Sequence, residues 1–403
     1  MAGGAGAMDG AAGQGAFSLK EERVGKAWAD ARQLGDILPE VWTALQAKVS
    51  RMIGQIGDKS PHVARPETGV YDDLQVDWWT SGFWPGLLWI LHDMTGEAAY
   101  REAAWPWDEK MERRMIEANR YHHDVGFQFL PTAVIKYKLT GDPDGLRRGL
   151  QAANFLAGRF NPAGRFLRAW NEDKIGWSIV DSSMNLSLLF WASEESGDPR
   201  FAQIARAHAD TVVAHFIRED GSVNHIVSFD PHTGAVIEIL GGQGAAPDSS
   251  WSRGAAWALH GMANTYRYTG DRRYLQAARR VAHYFLACLP EDGVPHWDFR
   301  AAADLSGEPR DTSAGACAAS GLLELAEALP GPEGAVYRQG AERILLGLTQ
   351  HYGTWDRPAH EAILLSGTGH KPAGQNIDVS LIYGDYYYVE AIAKLMGWER
   401  RIF

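Results

Sequence analysis

The sequence predicts an all-α protein, an (α/α)6 barrel of alternating inner and outer helices. Three observations carry that expectation. Six segments set an Asp at the mouth of a helix that is apolar nearly all round, and a helix of that kind belongs inside a protein. Four apolar helices end on one recurring turn: Met94-Thr95-Gly96-Glu97, Leu139-Thr140-Gly141-Asp142, Glu195-Ser196-Gly197-Asp198 and Tyr268-Thr269-Gly270-Asp271. An amphipathic helix follows each turn, and self-similarity at this period marks a repeat architecture.

Met1 to Phe17, mostly Gly and Ala, reads as a disordered tail. It has neither the basic start nor the continuous apolar run of a signal peptide. Residues 18–403 read as a single barrel domain. Glu21 to Gly35 is charged and amphipathic and reads as an accessory outer helix. Pro39 to Ile56 reads as the first long amphipathic helix, with Val41, Leu45, Val49, Met52 and Ile53 at helical spacing. Gly57 and Gly69 bracket a loop. The inner segments then follow at Asp77-Trp-Trp-Thr-Ser-Gly-Phe-Trp, Asp124-Val-Gly-Phe-Gln-Phe-Leu, Asp181-Ser-Ser-Met-Asn-Leu, Asp248-Ser-Ser-Trp-Ser-Arg-Gly, Asp311-Thr-Ser-Ala-Gly-Ala-Cys and Asp385-Tyr-Tyr-Tyr-Val-Glu.

The turns between them have a physical grammar. Gly takes the left-handed conformation that closes one helix, and the acid after it caps the next and complements its dipole. A weaker copy stands at Leu329-Pro330-Gly331-Pro332-Glu333. Closing such pairs into a ring removes the polar end caps that an open solenoid requires. Longer loops precede the inner helices, at Phe160 to Val180, Asp220 to Pro247, Asp292 to Arg310 and Tyr352 to Tyr383. They would emerge at the same mouth as the acids, and loops of that length are usually functional.

The chain has 403 residues, and an apolar fraction of 45% is ample for a large core. A net charge of −11 argues against nucleic acid and against an anionic membrane surface. It leaves room for a small anionic substrate held by a local Arg. The longest apolar runs, such as Leu87 to Leu91, are too short to span a membrane. Cys288 and Cys317 form no metal or disulfide pattern and read as buried free thiols. The expectation is a soluble cytoplasmic protein, or a periplasmic one if a leader was removed, as a monomer or weak homo-oligomer.

An Asp at a helix start is first of all a cap, and a cap prefers to stay ionised. A catalytic acid must instead hold a proton near neutral pH, which takes desolvation or a neighbouring like charge. Asp124 and Asp181 have suitable surroundings. Asp124 follows Tyr121-His122-His123 and precedes Gly126, where a close approach is possible. Asp181 follows the apolar run Trp177-Ser178-Ile179-Val180. Trp, at 16, outnumbers Phe, at 14, and Trp78, Trp79, Trp84, Trp170, Trp177, Trp251 and Trp257 crowd these helix ends. Indole faces suit the apolar faces of pyranose rings. Core packing is the alternative for each, and it is preferred for Trp89 and Trp191. Arg253 sits about a turn inside an apolar helix and needs an anion, either an internal Asp or a ligand carboxylate. No Walker loop, dinucleotide fingerprint, nucleophile elbow or His-Glu-x-x-His site is present.

Taken together, Asp77-Trp-Trp-Thr-Ser-Gly-Phe-Trp-Pro-Gly, His122-His123-Asp124-Val-Gly-Phe, Ile179-Val-Asp181-Ser-Ser-Met-Asn-Leu, Asp248-Ser-Ser-Trp-Ser-Arg253-Gly-Ala-Ala-Trp257 and Gly384-Asp385-Tyr-Tyr-Tyr resemble glycoside hydrolase family 88, the unsaturated glucuronyl hydrolases. The likeness runs from about Asp77 to the C-terminus. It implies an (α/α)6 barrel and hydrolysis, without metal or other cofactor, of oligosaccharides bearing a 4,5-unsaturated uronic acid at the non-reducing end. It also implies that Asp181 is the general acid and base and that Asp124 is the second key acid. Substrate contacts would fall on Trp79, His123, His225, Gln243, Arg253 and Trp257, with Trp251 nearby, and the loop from Ser366 to Lys371 would reach the next sugar. The chain departs from the family pattern at Ala255, where a Gln is usual, and in the extra aromatic Trp78. Other readings are an unsaturated rhamnogalacturonyl hydrolase of the same fold, a sugar epimerase or isomerase, and a non-catalytic sugar-binding protein. The His122-His123-Asp124 motif favours the glucuronyl family over the first, and the scarcity of His on inner helices weighs against the second.

Overall fold

The computed structural model describes Trp28 and residues 30–117 and 120–403. The tail expected at 1–17 and most of the accessory helix expected at 21–35 lie outside the described residues. Of the latter, Trp28 is buried edge-on against Trp355, with ring centroids 5.2 Å apart.

Helices alternate between an outer and an inner layer along the chain. α1 (Leu38–Ile56) is outer and α2 (Phe83–Thr95) inner. α3 (Ala98–Ala104) and α4 (Trp107–Glu117) are outer. α5 (Val125–Phe129) and α6 (Ile135–Thr140) make one inner helix, joined by a π turn over Leu130–Val134. α7 (Pro143–Ala157) is outer, α8 (Ser182–Ser196) inner and α9 (Pro199–Thr211) outer. α10 (Ser252–Thr269), α12 (Thr312–Ala328) and α14 (Ile382–Leu395) are inner, with α11 (Arg272–Ala287) and α13 (Pro332–Gly347) outside them. Each inner helix packs on the next, and α14 returns to α2, so the ring closes. This is the (α/α)6 barrel that the repeat predicts.

The predicted turns are present. Gly96, Gly141, Gly197 and Gly270 end inner helices in the left-handed region, with φ of 74°, 72°, 71° and 65°. Asp142, Asp198 and Asp271 then accept backbone N–H groups of the next helix. Glu97 makes no such bond, and at the fifth turn Gly331 itself is the cap, with φ 67°. The π turn contains Pro131, which has no N–H to donate; nothing in the helical periodicity announced it. Cys317 is buried as expected, whereas Cys288, at the end of α11, is only half-buried.

Inner helices approach closely where one offers a Gly. A Cβ at Gly126 would lie 2.3 Å from Asn185 Oδ1, and one at Gly261 would lie 2.6 Å from Ser183 Oγ. α5, α8 and α10 are thus drawn together beneath the mouth. At the opposite end the barrel is floored by a buried charge cluster. Lys394 and Arg401 each meet Glu324 at 2.6 Å, and Arg267 meets it at 2.9 Å. From that end the Phe403 ring reaches up inside the barrel to Phe127, Tyr386 and Tyr387. Three cations hold Glu324 below the usual carboxylate range against its burial.

A small sheet crosses the mouth. β4 (Trp177–Ile179), β5 (Ile226–Phe229) and β6 (Val236–Leu240) are antiparallel, after β1 (Val63–Ala64), β2 (Phe160–Asn161) and β3 (Phe166–Leu167) in the chain; β7 (Ser380–Leu381) pairs with β1. The loops that carry these strands leave the barrel at the end where inner helices begin. Among the described residues no helix is long and apolar enough to cross a membrane.

Candidate active site

The six mouth acids divide into two kinds. Asp311 caps α12 through Ser313 and Ala314 and also takes Arg253 Nη1 at 2.6 Å. Asp385 lies in the first turn of α14 and accepts from the Ile363 and Leu364 amides and the Tyr71 hydroxyl. Asp77 precedes α2 by more than a turn and is buried against Arg114 at 3.3 Å. Asp248 is exposed and precedes α10 without capping it. These acids are structural or solvated. Asp124 and Asp181 occupy N-cap positions of α5 and α8, yet neither side chain makes a cap bond. Both carboxyls are left for other work.

Asp181 is placed by the sheet. The register pairs Ile179 with Ile226, and the Val180 amide donates to His225 O at 3.0 Å. Residues just past that pair therefore face one another, and His225 Nε2 lies 3.7 Å from Asp181 Oδ2. That oxygen is buried with no hydrogen-bond partner among the described residues, an exception that asks for a functional reason. Burial pushes the Asp181 carboxyl up to about 7, against the pull of the Arg253 charge. A carboxyl in that range can hold a proton near neutral pH and release it.

Asp124 sits across from it on α5. Asn185, one turn into α8, accepts the Phe127 amide on Oδ1 at 2.7 Å. Its amide nitrogen is thereby turned toward Asp124 Oδ1, at 3.4 Å. His122 Nδ1 and His123 Nε2 lie 3.4 and 3.5 Å from the same carboxylate. Ser182 Oγ holds the other nitrogen of His123, at 2.9 Å. Burial raises the Asp124 carboxyl well above its ordinary value, and the Asp181 charge raises it further. The two acids therefore sense one another over one dry space.

His225 has a defined tautomer. Its Nδ1 meets the Gln243 amide at 2.8 Å and the Gly241 carbonyl oxygen at 3.2 Å; the amide N–H can only donate, and as the shorter contact it sets the proton on Nε2, toward Asp181. Burial lowers its pKa to about 3, so the ring is a neutral donor. Its other face packs on Trp251, centroids 4.4 Å apart.

Arg253 resolves the choice left open by its sequence. It is buried, bound to Asp311, to Thr368 O at 2.5 Å and to Gly369 O at 2.8 Å, and its Nη2 reaches Gln243 Oε1 at 3.3 Å. The anion it needed is the internal Asp311. Its charge fixes the loop 366–378 and orients Gln243. In that loop Ser366, Asn376 and Asp378 hold positive φ without being Gly, a strain that collects at functional sites.

The aromatic residues separate likewise. Trp79 is half-buried at the mouth, 4.9 Å from Tyr383. Trp251 lies beneath Arg253, 4.6 Å from its guanidinium. Trp257 has no exposed surface and packs on Phe127 and Tyr387 at 5.1 and 5.4 Å, so its ring is core and not lining; a full turn into α10, it lies below the mouth. Two contributors escaped the sequence reading. His62 packs on Trp78, Trp79 and Tyr383. Asp298 receives the Ala245 and Ser250 amides and the Ser249 hydroxyl, shaping the turn that carries Gln243. Neither stands in a motif, and their partners are distant in sequence.

Comparison with known proteins agrees with this geometry. The family model described as Glycosyl Hydrolase Family 88 matches residues 49–403. The unsaturated glucuronyl hydrolase of Bacillus sp. (strain GL1) is 35% identical over 86% of this chain and 93% of its own length. An unsaturated chondroitin disaccharide hydrolase of Streptococcus agalactiae serotype III (strain NEM316) is 32% identical over 89% of this chain and 92% of its own. The crystal structure of the Bacillus sp. GL1 unsaturated glucuronyl hydrolase superposes with a TM-score of 0.85 at 34% identity, covering 89% of this chain and 96% of that one. An (α/α)6 ring, two uncapped buried acids at its mouth and these likenesses over most of the chain agree: this chain belongs to glycosyl hydrolase family 88 and is a glycoside hydrolase of the unsaturated glucuronyl hydrolase type.

Proposed function

We propose that the enzyme removes a 4,5-unsaturated uronic acid from the non-reducing end of lyase-generated oligosaccharides by hydrating its C4=C5 bond. One observation carries this reading. The Asp181 carboxyl is dry, has an unpartnered oxygen and is held at about 7, facing a second buried acid.

The substrate's vinyl ether accepts a proton at C4. Asp181 donates it, and the cation left at C5 is shared with the ring oxygen. The carboxylate just formed stabilises that centre, and the His225 Nε2–H stabilises the carboxylate. Water, giving its proton back to Asp181, adds at C5. The resulting hemiketal opens to a ketone and frees a hemiacetal at C1, which expels the second sugar. No nucleophile attacks C1, so the spacing of the two acids says nothing of retention or inversion.

Asp124, with His123 and Asn185 behind it, holds sugar hydroxyls opposite Asp181. Trp79 bounds the sugar face, and Trp251, buried between His225 and Arg253, backs the pocket. Gln243, its Oε1 turned to Arg253, presents its NH2 end to the uronate carboxylate, and Arg253 supplies the positive field. Trp257 supports the pocket from below.

The test follows the ultraviolet absorbance of unsaturated disaccharides of the chondroitin, hyaluronan, heparin and gellan types. Absorbance decays on at least one of them with the unaltered enzyme. Asp181→Asn slows the decay by about 10²–10⁴-fold and still binds the disaccharide. No decay on any of them, or full activity in Asp181→Asn, overturns the reading.

A further inference from the structure

We propose that His122, His123 and Asp124 form a binding site for a zinc-class divalent ion, which blocks the enzyme when bound. Each side chain offers one ligand atom, and the three atoms lie within 4.8 Å of one another. His122 Nδ1 is 3.4 Å from Asp124 Oδ2, and His123 Nε2 is 3.5 Å from Asp124 Oδ1. A tetrahedral ion with bonds of about 2.0–2.1 Å holds its ligands roughly 3.3–3.4 Å apart. Each nitrogen is already close to that separation from one of the two Asp124 oxygens.

The lone pairs point the right way. The Asp124 amide approaches His122 Nδ1 at 3.5 Å, a contact long enough to yield and one that marks Nδ1 as the acceptor side of the ring. Ser182 Oγ holds His123 Nδ1 at 2.9 Å, the outer partner that fixes a metal-binding imidazole and leaves its Nε2 for the ion. The two rings stack at 25°, centroids 5.3 Å apart, and so present nitrogens to one space. Access is from the mouth, where the His122 side chain is 24% exposed.

Two imidazoles and one carboxylate suit zinc, copper or nickel and not magnesium or calcium. The ion is an inhibitor and not a cofactor. It takes the Asp124 oxygens, and on the hydration reading above these hold the sugar hydroxyls. Inhibition therefore rests on that reading, whereas ion binding does not.

Cobalt(II) titrated into the purified full-length chain tests the site directly. A visible absorption band of a four- or five-coordinate ion should saturate at one ion per chain and be lost on adding zinc. His122→Phe keeps the stacked ring and removes the nitrogen, and it should weaken cobalt binding by on the order of tens of fold. In the turnover arm, zinc should slow the absorbance decay, a chelator should restore it, and His122→Phe should resist the ion. An absent band, or an equal band in His122→Phe, overturns the site even while hydration proceeds. A zinc-displaceable band lost in His122→Phe, with no hydration of any disaccharide, upholds the site and sinks the proposed function instead.

Discussion

His225 Nε2 lies 3.7 Å from Asp181 Oδ2, and the Gln243 amide, a closer partner of Nδ1 than the Gly241 carbonyl, keeps the proton on the Asp181 side. The pair is a carboxyl about to lose its proton and a neutral donor waiting for the charge. Removing one preorganised donor at a site of developing charge costs about 10²–10³ in turnover. His225→Ala should therefore lower kcat by about that factor and change KM less, as steady-state kinetics on an unsaturated disaccharide would show. A large rise in KM at constant kcat would make His225 a binding residue only.

Proton donation by Asp181 sets the pH profile. The acid form is needed, and the carboxyl sits at about 7. kcat/KM should hold below that value and fall tenfold per pH unit above it. A profile still flat at about pH 9 would remove Asp181 from the donor role.

The same burial makes Asp181 costly to the fold once it ionises. Its folded-state pKa is raised, so the folded chain binds the proton more tightly than the unfolded one. That contribution is complete below the unfolded value of about 3.9 and is lost as pH rises through about 7. Asp181→Asn cannot ionise. It should be more stable than the unaltered enzyme at about pH 8, by up to about 4 kcal/mol, with the gap closing near pH 4. Thermal denaturation of both proteins across that range checks it, and a gap independent of pH would contradict it.

Gly126 is where α5 meets α8. Ala at that position sets a Cβ 2.3 Å from Asn185 Oδ1 and forces the helices apart or Asn185 away from Asp124. Overpacking of this kind costs about 1–3 kcal/mol. Gly126→Ala should show that loss in chemical denaturation and a fall in kcat beyond what the unfolded fraction explains.

The acids near α10 and α12 should behave oppositely. Asp311→Asn leaves the buried Arg253 guanidinium without its counter-charge and should cost about 3–5 kcal/mol. Asp248→Ala, at an exposed acid, should stay within about 0.5 kcal/mol. Equal effects would return these acids to one class.

Much of the ring was legible because its punctuation is local. A Gly that must turn left-handed and the capping Asp directly after it are neighbours in sequence, so the helix pairs could be read in order. The mouth was less legible because its partners are not neighbours. Six acids looked alike, and what separates Asp181 from Asp311 is the set of amides and cations around each, set by strand register and by a guanidinium from another helix. Arg253 announced that it needed an anion but not which one. Asp298 and His62 stand in no motif and act through residues far along the chain. The π turn at Leu130–Val134 hid because one inserted residue barely disturbs an apolar run.

The four left-handed glycines at 96, 141, 197 and 270 mark the end of the barrel away from the catalytic mouth, and the space around each is open to 4 Å although their positive φ keeps the positions for Gly itself. That end is a ready handle. A dye, a surface tether or a fused partner attached at the turn after α2 or α8 would leave the approach of an oligosaccharide unobstructed, and several such molecules could be arrayed with every mouth facing the solution.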